Sequence, residues 1–421
     1  MPTTRTSARS RWHRIKDALA KALFGLALLL VAFALGVITT RAQLFPHDTI
    51  STALKTFNDL SAHWKNDLGL VPTRHLKPAR HPGQGVTIRK PAKMQPGLTF
   101  MVGFFDDGIA GRLIDADGKV VHAWPIRFTE IWPEIDADAD GTPVTDWNAL
   151  AHGAMAFPDG SILFTIGQSL VKLDACGEVV WKDRRNYHHS VDQADDGTFW
   201  VPLADHIAHV SADGELLDRI WAQQMMERNG LEGVYFVQNG RRARPHPNDV
   251  EILSAELAPA FPLFEAGDAV YSMRDLNLII VFDPETRKVK WFQHGPWLRQ
   301  HDPDFLPDGR ISIFNNRRFR DASNIIAIDP VTRETEILYQ GTRKQPFFSD
   351  VGGKHQHLEN GNILITSFTE GRVFEVTPEG EIVWQFINRY DEDRVLMIGN
   401  AIRYDESYFD RSTWPACPAE G

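Results

Sequence analysis

Three histidines in this 421-residue chain stand at one fixed distance from a turn. His152, His189 and His301 each lie eight residues ahead of a glycine (Gly160, Gly197 and Gly309) that closes an Asp-Gly turn. Strand periodicity puts the three at the same position of equivalent strands. His246 opens a corresponding run, His246-Pro-Asn248-Asp-Val-Glu, and His355 and His357 follow Gly353, two residues apart and so on one strand face. Arg274 and the cluster Arg317, Arg318 and Arg320 accompany them. A lone strand-end histidine is ordinarily satisfied by backbone. Histidines that converge in register handle an anion, a metal or a proton. Guanidinium forks among them suit a tetrahedral oxyanion, since they repel a metal cation.

The elements that position these residues come from a repeat. A four-residue turn with Gly or Thr at its close, between two strands, begins at Ile114, Leu173, Val210, Phe282, Ile328 and Val376, as in Leu173-Asp-Ala-Cys-Gly177 followed by Glu-Val-Val-Trp181. A second hairpin precedes most copies, with turn glycines Gly160, Gly197, Gly309 and Gly361. Two hairpins per repeat make a four-stranded sheet, and six such sheets closed radially make an all-β, six-bladed β-propeller. The expected blades are 98–150, 151–186, 187–238, 240–295, 297–342 and 345–405, with Ala255–Glu265 inserted in the fourth. In this architecture the first strand of each blade faces the central channel, so the registered histidines ring the axis. Only Arg219–Arg228 reads as a helix within this region.

Upstream, every residue from Ala22 to Ile38 is apolar or glycine, preceded by Arg5, Arg9, Arg11, Arg14, Lys16 and Lys21. The sequence predicts a basic cytoplasmic tail over 1–21, an uncleaved membrane helix over 22–40, and an exported remainder at the inner membrane, on the periplasmic side. No Ala-x-Ala site follows to mark a cleaved signal peptide. Residues 41–97 read as a spacer with one short amphipathic helix over 49–64, because Pro72, Pro78, Pro82, Pro91 and Pro96 disfavour regular structure. The propeller is expected over 98–405 and a tail over 406–421.

Net charge is −10 with no basic stripe, which argues against a nucleic-acid partner. Two cysteines, Cys176 and Cys417, are too few for a disulfide framework or a cysteine-rich zinc site. Asp136-Ala-Asp138-Ala-Asp140-Gly141 copies the start of a calcium loop, but its twelfth position is Trp147, so it reads as an acidic surface loop. No Walker loop, dinucleotide fingerprint or Gly-x-Ser-x-Gly is present, and neither a cofactor nor a metal is expected.

Several motifs together resemble the arylsulfate sulfotransferase family of propellers. They are His246-x-Asn248-Asp-Val-Glu, Tyr271-Ser-x-Arg274-x-x-Asn277, Lys290-Trp291, and Gln300-His-Asp-x-x-Phe-Leu-x-x-Gly309-x-Ile-Ser-x-Phe-Asn315. His188-His189 and Gln356-His357-Leu-Glu-Asn-Gly361 extend the likeness, which covers about residues 98 to 400. The resemblance implies transfer of a sulfuryl group from an aryl sulfate ester to a phenol through a sulfohistidine, without a nucleotide donor. By motif position it implies His357 as nucleophile with His355 as its rival, and His301 and His189 as acid/base or oxyanion partners. Arg318 or Arg274 would be the sulfuryl clamp, and His246, Asn248, Arg274, His355 and Asn315 would hold substrate. Secreted members of the family carry an extra β-domain before the propeller and a disulfide near the end, whereas this chain has an anchor and spacer instead. The competing readings are a metal-dependent propeller lyase and a non-catalytic binding propeller in the envelope.

Overall fold

In four of the six repeats an Asp opens the turn, and its carboxylate caps that turn. Asp115 Oδ1 accepts from the N–H of Asp117 and Lys119, Asp174 Oδ1 from Cys176 and Glu178, Asp283 Oδ1 from Glu285, and Asp329 Oδ1 from Val331, at 2.7–3.0 Å. Closed turns at fixed intervals leave the chain between them extended, and it pairs into four-stranded antiparallel sheets. In this computed structural model, which describes residues 7–137, 142–235 and 245–417, six such sheets form a six-bladed β-propeller. Asp138, Asp140 and Gly141 of the calcium-like stretch lie outside the described residues.

Six clusters of buried apolar side chains fill the six seams between neighbouring blades. Middle strands such as Leu278–Phe282 and Asn324–Ile328 are therefore buried on both faces and nearly continuously apolar. Outer strands such as Thr335–Gln340 are largely exposed. Repeat tryptophans tie four of the six seams: Trp124, Trp181, Trp291 and Trp384 donate their indole N–H to Gly160, Ala212, Pro330 and Ala116 respectively, each a carbonyl in a turn of the next blade.

Ring closure departs from the blade limits read in the sequence. Strand Ile398–Tyr404 belongs to the first blade, as the innermost strand beside Leu98–Phe105, although it is made last. The stretch read as an irregular spacer also differs. Leu76–Pro78 pairs with Arg394–Leu396, and Gly85–Arg89 adds a fifth strand to the sixth blade. Pro78 ends the first of these short edge strands, and Pro72, Pro82, Pro91 and Pro96 lie outside both, so none interrupts a ladder. Likewise the helix near 219–228 is Ala222–Arg228, because Arg219 still belongs to the outer strand of the third blade.

The chain divides into two units, Met1–Trp64 and Lys65–Gly421. The first contains a 36-residue helix, Ser7–Ala42, whose stretch Trp12–Ala42 is long and apolar enough to cross a membrane, and most of a second helix, His47–Asp67. In the propeller unit Cys176 and Cys417 form a disulfide that fixes the tail to the second blade. The sequence leaves open whether these two cysteines pair, and the structure joins them.

Candidate active site

The channel ends of the first strands are not regular. In the first, second, fourth and fifth blades the innermost strand starts with a register shift, at Ile398/Asn400, Ala151/Ala154, Pro247/Asp249 and His301/Pro303. A bulge turns successive side chains away from simple alternation. His189, His246 and Asp302 adopt left-handed φ values of 64°, 47° and 53°, which non-glycine residues adopt at a cost. Neighbouring blades hold them there: His189's carbonyl accepts from the Gly153 N–H and, at 2.9 Å, from Thr165 Oγ1. A Cβ at position 153 would overlap that carbonyl, so only glycine permits this approach.

These distortions gather five imidazoles. His189 lies 4.8 Å from His152, 4.9 Å from His188, 5.1 Å from His246 and 5.6 Å from His301, centroid to centroid. His189 Nε2 and His246 Nε2 are 3.0 Å apart, so one carries a proton that the other accepts. His152 stacks on Phe368 at 5.5 Å, which walls the ring on the sixth-blade side.

His301 has a defined tautomer. Asn316 donates both its amide protons, to the carbonyls of Ser349 (2.9 Å) and Gly352 (2.6 Å), so its Oδ1 faces His301 Nδ1 at 2.6 Å. Nδ1 must therefore carry the proton and Nε2 the lone pair. That Nε2 is buried without a hydrogen-bond partner.

Burial drives every ring histidine below its ordinary pKa, and mutual repulsion and Arg274 add to it. His188 and His301 fall to about 3, His152 and His246 to about 4, and His189 well below 6.5. At neutral pH the ring is uncharged imidazole. Positive charge comes instead from arginine. Arg274 acts electrostatically on His188, His246 and His301, and is held by Asp275, 2.9 Å from its Nε. Arg299 binds the same carboxylate oxygen at 2.9 Å. Arg318 is exposed in the turn Arg318–Arg320, and its charge is still felt at Arg274.

A second polar group lies beyond the bulge. Asp302 receives the Lys354 ammonium at 2.6 Å and His355 Nδ1–H at 2.8 Å, while Lys354 also reaches Asp249 at 3.1 Å. Burial opposes ionisation of Asp302, yet Lys354 and His355 outweigh it and its pKa falls. Around them Asp192 rises to about 7 and Asp249 to about 6, mainly through burial, and burial also raises Glu251 and Asp304 well above the usual carboxylate range. These residues, with His355 and His357, line a cavity of about 440 Å³. Asp302, Asp304 and His355 have metal-ligand spacing, their donor atoms within 4.8 Å of one another, though Lys354 already bonds Asp302. Here the histidine ring and the metal-spaced group are different places.

The sequence-predicted residues thus separate. His189, His246 and His301 come together with Arg274 beside them. His355 is committed on both ring nitrogens, to Asp302 and to Ser312 Oγ at 2.7 Å. His357 stands with it in the acidic cavity, 5.5 Å away between centroids, its Nε2 buried and unpartnered. Asn248 donates to the Gln300 carbonyl at 2.6 Å, and Asn315 accepts from the Leu298 N–H at 2.8 Å. Both join strand ends near the site. Asn316, Arg299 and His188 were not singled out as site residues. Their signals were present in Asn315-Asn316, Arg299-Gln300-His301 and His188-His189, but neither neighbour in each pair was distinguishable by type alone.

Among solved structures, similar folds include a protein of unknown function from Bacteroides caccae, at 14% identity over 73% of this chain and 98% of that one, TM-score 0.48. Others are a streptogramin B lyase (14%, 75% and 87%, TM-score 0.41) and virginiamycin B lyase from Staphylococcus aureus (14%, 56% and 69%, TM-score 0.36). No curated protein matches the chain. The profile of the arylsulfotransferase (ASST) family matches residues 154–389, a span that holds four of the five ring histidines, Arg274 and the whole acidic cavity's histidine pair. On that match over more than half its length, the chain belongs to the arylsulfotransferase family.

Proposed function

We propose that this chain transfers a sulfuryl group from an aryl sulfate ester to a phenolic acceptor at the histidine ring, through a sulfohistidine on His301 and without a nucleotide donor. The observation that carries the assignment is the pinned tautomer: a neutral imidazole with its Nε2 lone pair free and its Nδ1–H held by Asn316. Attack by Nε2 on sulfur forms the N–S bond as the S–O bond to the aryl group breaks. The ring becomes cationic, and the Asn316 carbonyl strengthens its hold on Nδ1–H as charge develops. The departing phenoxide leaves as the anion, accepting a hydrogen bond from the N–H of the His189–His246 pair; in the second half-reaction the acceptor phenol passes its proton to that pair, which releases it to solvent, as its oxygen attacks sulfur. Arg274, with Arg299 and Arg318 near it, clamps the sulfuryl oxygens.

This reading moves the attack from His357, which stands in the cavity lined by Asp302 and Asp304, to His301, which stands with Arg274, and keeps His246 in contact with substrate. Asn248 and Asn315 act through the backbone they hold, and His355 through the Asp302 network. The catalytic domain is placed on the periplasmic side of the inner membrane. Six basic residues ahead of the apolar helix and a disulfide, which persists in oxidising compartments, support that placement.

The test is turnover of a chromogenic aryl sulfate with a phenol, combined with peptide mapping of the protein after donor alone. We expect an acid-labile sulfuryl adduct on the His301 peptide, loss of turnover in His301→Ala and substantial turnover in His357→Ala. An adduct on His357, or undiminished turnover in His301→Ala, overturns the assignment.

A further inference from the structure

The second helix, His47–Asp67, carries an exposed apolar face. Ile50, Leu54, Phe57, Leu60 and Trp64 recur at helical spacing and fall within an arc of roughly 120° at about 100° per residue. Each is 46–68% exposed. The opposite side presents Thr52, Lys55, Asp59 and His63. Exposed apolar residues continue past both ends, with Leu44 and Phe45 before the helix and Leu68 and Leu70 after it.

Position in the chain says what meets this face. The helix begins five residues after Ala42, where the membrane-length helix ends. Five residues reach at most roughly 18 Å when extended, and here the Leu44 N–H bonds back to Thr39 and the His47 N–H to Leu44, which shortens the link. A helix so tethered starts within the headgroup layer of the bilayer that the first helix crosses. Its charges are mixed, with Lys55 and Lys65 against Asp48, Asp59 and Asp67, so attraction to anionic lipid is weak and apolar insertion dominates.

We propose that His47–Asp67 is an interfacial helix, lying along the leaflet into which the anchor emerges, with Ile50, Leu54, Phe57, Leu60 and Trp64 among the acyl chains. The tether is then a membrane-surface element, in contrast to a spacer extended through water. This rests on the reading of Trp12–Ala42 as a membrane span.

Both native cysteines are in the disulfide, so a single introduced cysteine can be labelled selectively. The full chain is placed in phosphatidylcholine nanodiscs with an environment-sensitive fluorophore at Phe57→Cys, Asp59→Cys or Phe33→Cys, and quenched with lipids carrying nitroxides along the acyl chain. The expected result is strong quenching at positions 33 and 57, at least threefold weaker quenching at 59, and no change when a third of the lipid is made anionic. Quenching at 33 with none at 57 overturns the interfacial helix and leaves the anchor intact. Absence of quenching at 33 overturns both. Dipolar coupling between two copies labelled with a spin probe at 57, together with weak lipid quenching there, assigns the face to self-association and also overturns the proposal.

Discussion

Asn316→Asp is the sharpest perturbation of the proposed chemistry, because it exchanges a neutral acceptor for a charged one at a fixed place. Asn316 Oδ1 is 2.6 Å from His301 Nδ1, and burial and Arg274 hold that histidine near a pKa of 3. A carboxylate there, with charge centres about 4 Å apart and an effective dielectric constant of about 20, favours imidazolium by about 4 kcal/mol, or about 3 pKa units. His301 would then titrate near 6. Above that pH the variant keeps a neutral Nε2, and below it the nucleophile is lost to protonation. The assay is the pH–rate profile of aryl sulfate turnover in wild type and variant. The wild-type profile should show no loss traceable to this group down to about pH 4. The variant should lose about tenfold at pH 5 and about a hundredfold at pH 4, relative to its own rate at pH 8. Two donations, to Ser349 and Gly352, are also lost at about 1–3 kcal/mol each, so rates are measured well below the variant's own melting temperature. Parallel profiles for the two proteins from pH 8 to pH 4 would refute attack by a neutral His301.

Arg274→Leu should lower kcat by about 10²–10³-fold, and Arg274→Lys should recover less than a tenth of that loss, since a lysine cannot present a planar fork; steady-state kinetics with one donor decide it. His188→Leu should flatten the acid side of the stability curve. Its folded pKa of about 3 lies below the unfolded 6.5, so its contribution is fully present above pH 6.5 and is lost as pH falls toward 3. Urea melts between pH 6 and 4 should show the variant's stability falling less steeply, by about 1.4 kcal/mol per pH unit. Cys417→Ser should cost about 2–4 kcal/mol, and reductant should bring the wild type to the same melting temperature while leaving the variant unchanged.

The propeller was legible because its signals are local. Each Asp caps a turn within its own four residues, each turn glycine needs a positive φ, and tryptophans recur at fixed offsets from both. The histidine ring was legible as a set, since spacing from the turn survives folding. The split between ring and acidic cavity was not. His301 and His357 look alike in sequence, but the shift between His301 and Pro303 alters which residues face which end of the channel. Bulges arise from contacts between blades, such as Gly153 against the His189 carbonyl, and those pairs are far apart in the chain. Leu76–Pro78 and Gly85–Arg89 were missed for a related reason: a short edge strand takes its conformation from the sheet it joins.

Closure by Ile398–Tyr404 bears on when the protein becomes competent during its own synthesis. The edge strands Leu76–Pro78 and Gly85–Arg89 are made early, yet their partners lie beyond residue 380. All five ring histidines have been translated about a hundred residues before the strand that completes the first blade. Until that strand docks, the seams on either side of the first blade lack one wall. A chain halted before residue 398 therefore holds all five ring histidines and no closed ring of blades.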